Sequence, residues 1–536
     1  MAIAPTPPLR LLLDLSQVVV FPRTMGRTTA DSTLAMTTPA VSGFLCLPYE
    51  LRDMVYREYF AVEGGYAHNP HTDKLRRRAG EGPIDLDLTL TCKRIAGETR
   101  GLALGSNTIT FRTVGAEDEA TRARARLFDV LMQRMHRYRE HMLYREIRTC
   151  ITDQSYDTIV RLYPQFAPVM AMVNDDELIL RAVGAPGPWG QPPSLYREFV
   201  QYALQVICFY NHRFARVVSE ALPSVPDPVD LVYYRPPPWA IPRRKDLKEM
   251  ECVLGTREKG RQPDHRGRFS AAAAAIRFVE SRPRAAGHMR RLVLEEDYPA
   301  VSNPECHGLS FVPICQEYPL LRVERRVNLW TAVFPDICTS PRRPTVEPQT
   351  VPELDSNRIS EQVATWVVEA AVLQSAGMPP GSFSLVLTGD PAPRLCSDIF
   401  QTVIHRDVAW QLAQEECLAR GHLSQQCWGA RTMRPAARRG MLGPGNVCYL
   451  FDGFPRALRD IVDGGSVVRC EFDPGEPLSV EALLQGKRGW LWFQWQEGWY
   501  RRDKQVVETF PELAPFVLGK AVPPPLLLGS RDGWDL

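Results

Sequence analysis

The chain has 536 residues, and its 64 basic and 62 acidic side chains leave a formal charge of +2, so no whole-molecule field draws in nucleic acid or a membrane surface. Its make-up, 44% apolar and 24% charged, is that of a globular protein, with room for about two to four domains at roughly 100–200 residues each. Thirteen cysteines without a Cys-x-x-Cys pair do not make a disulfide scaffold, and no apolar run reaches the roughly 18 residues of a membrane helix.

Residues 1–40 read as a disordered tail. Asp14 and Gln17 interrupt the apolar stretches Leu11–Leu13 and Val18–Phe21, and three early prolines oppose a helix. The first strong helix start is Leu47-Pro48. Proline at the first helical position loses no hydrogen bond, and Glu50 follows in the turn where the helix dipole favours an acid. Leu51, Met54, Val55 and Tyr59 then share one apolar face. Gly64-Gly65 ends this helix, and residues 61–83 read as a loop carrying Lys74 and Arg76-Arg77-Arg78. A second helical unit spans Leu86–Leu104, and Thr108–Phe111 is a short β-branched strand.

Residues 117–149 give the longest helical pattern, with Leu127, Val130, Leu131, Met135, Tyr138 and Met142 on one stripe. Its eight arginines are matched by six acids, which marks a solvated face rather than a nucleic-acid-binding helix. Tyr196–Leu222 is another amphipathic helix, closing a helical region over 116–222. Pro223–Pro242 reads as a linker that continues into a basic loop to residue 268. Between Ile241 and Arg291, 14 Lys/Arg face 6 Asp/Glu.

Beyond residue 269 the texture changes to a mixed α/β region. Arg291–Leu294, Leu321–Leu329, Phe383–Leu387 and Val467–Phe472 read as strands, and Trp490–Trp495 as an aromatic one. Arg358–Ala376 and Leu395–Ala419 read as helices. Strand centres at Leu292, Val323 and Leu385 lie 31 and then 62 residues apart. That spacing suits either degenerate leucine-rich-like units or a plain parallel α/β layer. The fold class is therefore α+β, an N-terminal helical unit followed by irregular strand–helix units.

Catalytic motifs fail on inspection. His405-Arg406-Asp407 opens like a kinase catalytic loop, but Leu412 stands where that loop needs Asn. No P-loop, Gly-x-Ser-x-Gly or His-Glu-x-x-His occurs. Cys306, His307 and Cys315, and the pair His68/His71, lack the spacing of a zinc site. Adjacent Cys306 and His307 also make a poor nucleophile pair. Trp490, Trp492, Trp495 and Trp499 read as core. An enzyme would have to gather Asp390, Cys396, His405 or Asp407 in a deep pocket. No catalytic, cofactor or metal residue is assigned.

Phe44-Leu45-Cys46-Leu47-Pro48-Tyr49-Glu50-Leu51-Arg52-Asp53-Met54-Val55-Tyr56 resembles the opening block of fungal F-box-like proteins. Leu88–Thr99, with Thr91-Cys92-Lys93-Arg94-Ile95, resembles their second block, and Ser106-Asn107-Thr108-Ile109-Thr110-Phe111 their closing one. The likeness covers residues 43–112. It implies a small helical unit docking on the Skp-family adaptor of a cullin ubiquitin ligase, while a C-terminal domain captures a protein substrate in the cytoplasm or nucleus. The docking positions it implies are Leu47, Pro48, Leu51, Val55, Tyr59 and Ile95. The family's common Trp after the Cys-Lys-Arg segment is replaced by Ile95-Ala96-Gly97, and the stretch from Phe60 to Leu86 is longer than a compact F-box has.

Overall fold

The computed structural model describes residues 43–80, 82–115, 118–174, 188–256, 267–339, 353–354, 356–420, 449–491, 494–495 and 497–499. The expected tail at 1–40 and the basic segment Arg257–Arg261 lie outside the described residues. The chain falls into two compact units, one ending at Arg52 and one beginning at Asp53.

The first unit holds a 3₁₀ turn, Gly43–Cys46, then Leu47-Pro48 and the opening residues of helix α1 (Tyr49–Phe60). The Arg52 amide donates to the Pro48 carbonyl at 3.2 Å, so the helical bonding begins at the proline.

The second unit is built on a sheet. β1 (Tyr66–Asn69) and β2 (Lys74–Arg77) form an antiparallel hairpin inside the segment expected to be a loop. The pattern was hidden because β2 is lysine and arginine around one leucine. Gly65, with φ +68°, precedes β1, and a Cβ there would overlap the Thr108 carbonyl oxygen. The expected helix over 86–104 is broken into a 3₁₀ turn, α2 (Lys93–Glu98) and a further turn entered through left-handed Gly101. β3 (Thr108–Arg112), β4 (Arg291–Glu296), β5 (Arg322–Asn328), β8 (Phe383–Thr388) and β9 (Val468–Cys470) complete seven strands in the order β2-β1-β3-β4-β5-β8-β9. β6 (Cys338–Thr339) and β7 (Glu353–Leu354) pair separately. From β1 to β9 all neighbours are parallel. The fold is α+β with a mixed sheet.

The order is monotonic, so every right-handed crossover after β1 steps the same way and leaves its helices on one face. Strand residues alternate accordingly. Ile109, Phe111, Leu292, Leu294, Val323, Val327, Leu385 and Leu387 are buried in the main core. The opposite face carries a charged ladder: Glu295 binds Arg78 (2.9 Å) and Arg112 (2.7 Å), Arg326 binds Glu324 (3.0 Å) and Glu471 (2.5 Å), and Arg469 reaches Glu324 (3.3 Å).

The helical layer starts with α3 (Glu119–His141), capped by the Asp118 carboxylate on the amides of Ala120 and Thr121. The helix expected over Tyr196–Leu222 is two, α4 (Pro193–Tyr210) and Phe214–Ala221, parted where Asn211 turns its side chain to the Cys150 carbonyl (2.9 Å). The proline-rich stretch expected as a linker belongs to this layer: α5 (Pro228–Tyr233) is capped by Asp227, and Val225, Leu231 and Val232 are buried in the helical core. Proline at the first turn starts a helix there instead of breaking one.

Helices α6 (Ala271–Glu280), α7 (Ser356–Ser375) and α8 (His405–Ala419) follow. Of the aromatic segment expected as a strand, Trp492 and Phe493 lie outside the described residues, while Gln494 and Trp495 are helical, with the Trp495 amide on the Leu491 carbonyl at 3.2 Å. Trp490, Trp495 and Trp499 pack around Trp410 of α8.

One ion pair is sealed under the sheet. Glu296 of β4 accepts from Arg325 of β5 at 2.7 and 2.9 Å, and from the first amides of α6, Ala271 (2.9 Å) and Ala272 (3.2 Å). The Arg325 guanidinium lies over the Trp366 ring of α7, 4.7 Å from its centroid. Both side chains are almost wholly buried. Removing one partner strands the other charge in low dielectric. Glu296→Ala is therefore expected to lower unfolding free energy by about 3–5 kcal/mol, read by urea denaturation.

The helical layer meets the sheet layer through Glu369 of α7, which accepts from the Ser194 amide (2.7 Å) and hydroxyl (2.6 Å) of α4. Burial raises its pKa to about 7 despite those donors and nearby Arg197. A folded pKa above the unfolded value near 4.5 stabilises fully below that value, and the contribution is lost as pH rises through about 7. Denaturation from pH 4 to 8 is expected to show the wild type losing stability relative to Glu369→Gln across that interval.

Candidate functional site

α1 presents two faces because helical side chains recur every three to four residues. On the inward face Tyr56 and Phe60 are buried, and the Tyr56 hydroxyl donates to Glu98 of α2 at 2.8 Å. Asn107 closes the C-terminal end, donating to the Phe60 carbonyl (2.6 Å) and accepting from the Val62 amide (2.9 Å). The other face is open. Leu51 is 47% exposed, Val55 47% and Tyr59 42%, and Met54 is more exposed still. Leu47 and Pro48, ahead of the helix, are exposed too.

Tyr59 lies near the Asp85 carboxylate, and Leu86 and Leu90 are open to solvent. Five large apolar side chains of the second unit, Met54, Val55, Tyr59, Leu86 and Leu90, are thus left uncovered within 37 residues of chain. Isolated exposed leucines are ordinary; here several large apolar side chains are exposed on α1 and again at Leu86 and Leu90.

Of the six docking positions, five are solvent-accessible and Ile95 is not. Ile95 is only 7% exposed, and its carbonyl accepts from the Thr99 amide (2.8 Å) and hydroxyl (2.7 Å). α2 turns this side chain into the interior, so Ile95 is a core residue, not a contact. Sequence spacing missed Leu86 and Leu90 as open positions, since an apolar residue at a helix start reads as core.

The groups considered for chemistry are placed apart or disarmed. Burial pushes the Cys306 thiol up to about 12 and the His307 imidazole down to about 3, the reverse of a thiolate–imidazolium pair. His307 instead bridges Ser270 (2.7 Å) and the Ser302 carbonyl (2.9 Å). His68 pairs with Asp73 at 2.9 Å and stacks on Phe111, and among the described residues no cluster of three metal-ligating side chains forms. His405 is tied to the Pro474 carbonyl at 2.8 Å beside a crevice of about 30 Å³, room for one water. Asp407 is buried against Arg406, and burial raises the Cys396 thiol to about 12. Among the described residues no helix is long and apolar enough to cross a membrane.

Compared with family models, curated proteins and solved structures, the chain matches none.

The two faces of this region respond differently to charge. Ile95→Asp is expected to abolish the cooperative thermal transition or lower its midpoint steeply, because it buries an unpaired carboxylate. Val55→Asp is expected to leave the midpoint within a few degrees of wild type, because its side chain stays in water.

Proposed function

We propose that the chain is a non-enzymatic adaptor, an F-box-like substrate receptor of a cullin-type ubiquitin ligase working in the cytoplasm or nucleus. The open face of α1 docks the Skp-family adaptor, with Leu47, Pro48, Leu51, Val55 and Tyr59 as contacts. The supporting observation is that α1 is anchored through Tyr56 and Phe60 while its leucine–valine–tyrosine row stays in water. A helix held on one side and apolar on the other is what helix-to-protein docking uses. The charged sheet face offers a second surface for capturing a protein substrate. Its paired arginines and glutamates favour specificity over raw affinity.

A scaffold role with no ligase link is the alternative, favoured by the burial of Ile95. The raised thiol and lowered imidazole at Cys306-His307 weigh against an enzyme.

Affinity capture of a purified Skp-family adaptor separates these readings. Leu51→Asp/Val55→Asp is expected to abolish capture while circular dichroism and the melting midpoint stay at wild-type values. Equal recovery by wild type and variant ends the adaptor reading.

A further inference from the structure

A cleft of about 610 Å³ lies on the charged face of the sheet, at the C-terminal ends of β1 and β3. In an open sheet of parallel strands, the crevice beyond the carboxyl ends is where ligands bind. Strand register makes its floor low. Arg76 of β2, Ala67 of β1 and Thr110 of β3 stand side by side in one row. The middle position carries only a methyl group, so a trough opens between neighbours two strand spacings, about 10 Å, apart. Past the strand ends, Thr113, Gly115 and Asp118 continue the wall.

Four guanidinium groups border the cleft, Arg76, Arg77, Arg78 and Arg112, against one carboxylate, Asp118. Asp118 directs its oxygens to the amides of Ala120 and Thr121 and to the Thr121 hydroxyl, not to an arginine. Arg78 and Arg112 share the carboxylate of Glu295, at 2.9 and 2.7 Å, so two positive charges meet one negative. Arg76 has no hydrogen bond or ion pair at its guanidinium among the described residues. It is only half-buried, so an incoming acceptor can reach it. A cleft whose wall carries an excess of one sign concentrates solutes of the other.

We propose that this cleft binds a small phosphate ester, its dianionic group held between Arg76 and Arg112 over Ala67. Guanidinium forks match phosphate oxygens, and a dianion can engage two of them at once. The volume exceeds that of a phosphate group alone and leaves room for an organic body beside Pro70 and Val114. No covalent step is involved. No residue of α1 lines the cleft, so its test does not depend on capture of a Skp-family adaptor.

The test titrates the full chain by calorimetry, at low salt, with phenyl phosphate, with inorganic phosphate and with phenol, which keeps the ring and loses the charge. Phenyl phosphate is expected to bind saturably with a Kd of about 1 mM or below, inorganic phosphate about threefold more weakly, and phenol not at all. Arg76→Gln is expected to weaken the ester about tenfold. Ala67→Leu, which fills the trough and leaves every charge in place, is expected to weaken it about tenfold as well. Arg456→Gln, at an exposed arginine outside the cleft, is expected to leave it unchanged. If Ala67→Leu fails to fold, Arg76→Gln set against Arg456→Gln decides. Absence of saturable ester binding, equal losses in Arg76→Gln and Arg456→Gln, or tighter binding of inorganic phosphate than of the ester overturns the proposal.

Discussion

Beneath the sheet, where water does not reach, Glu296 and Arg325 neutralise one another across β4 and β5, and each does a second task at the same time. Glu296 also receives the first two free amides of α6, so the helix begins where the carboxylate lies. Arg325 presents its flat side to Trp366, which places α7. An apolar pair of equal volume could hold these elements together, but it would tolerate sliding. The charges demand one strand register and one helix start, because any shift leaves a charge unpaired in low dielectric.

The sheet built on that seam is one-sided. Parallel strands added in a single direction put the helices, and with them nearly all the strand leucines and valines, on one face. The other face keeps arginines and glutamates that satisfy each other laterally from strand to strand. Aliphatic stems of those long side chains cover the sheet while their heads stay in water, which is how Thr110 and Val386 come to be buried on the open face.

How much was legible from the residues depends on what held each element. Strands β4, β5 and β8 were readable because their inward positions are mostly apolar, with Glu296 and Arg325 the exceptions. α7 was readable from its stripe and the Gly377-Met378-Pro379 stop that follows. The β1–β2 hairpin was not, since β2 is lysine and arginine around one leucine and β1 pairs with β3, which lies about forty residues further along the chain. The breaks at Gly101 and Asn211 were missed for a related reason: a left-handed glycine and a side chain reaching to Cys150 interrupt helices whose apolar periodicity runs on. On α1 the spacing found the apolar row, but the same spacing would serve a core helix. Only the burial of Tyr56 and Phe60 on the reverse side separates the two cases. The cleft over Ala67 was out of reach, because its walls come from residues 67–78 and from β3 and the start of α3, which only strand pairing brings together.

The two ends of the sheet are also unlike its middle. On one side the array is closed by β2, whose outer margin carries Lys74, Arg76 and Arg77; on the other it stops at β9, three residues long. A strand rim crowded with cations repels its own copy, and a very short one offers few free amides and carbonyls to pair with. Stacking of one molecule's sheet onto another's is thereby discouraged at both borders.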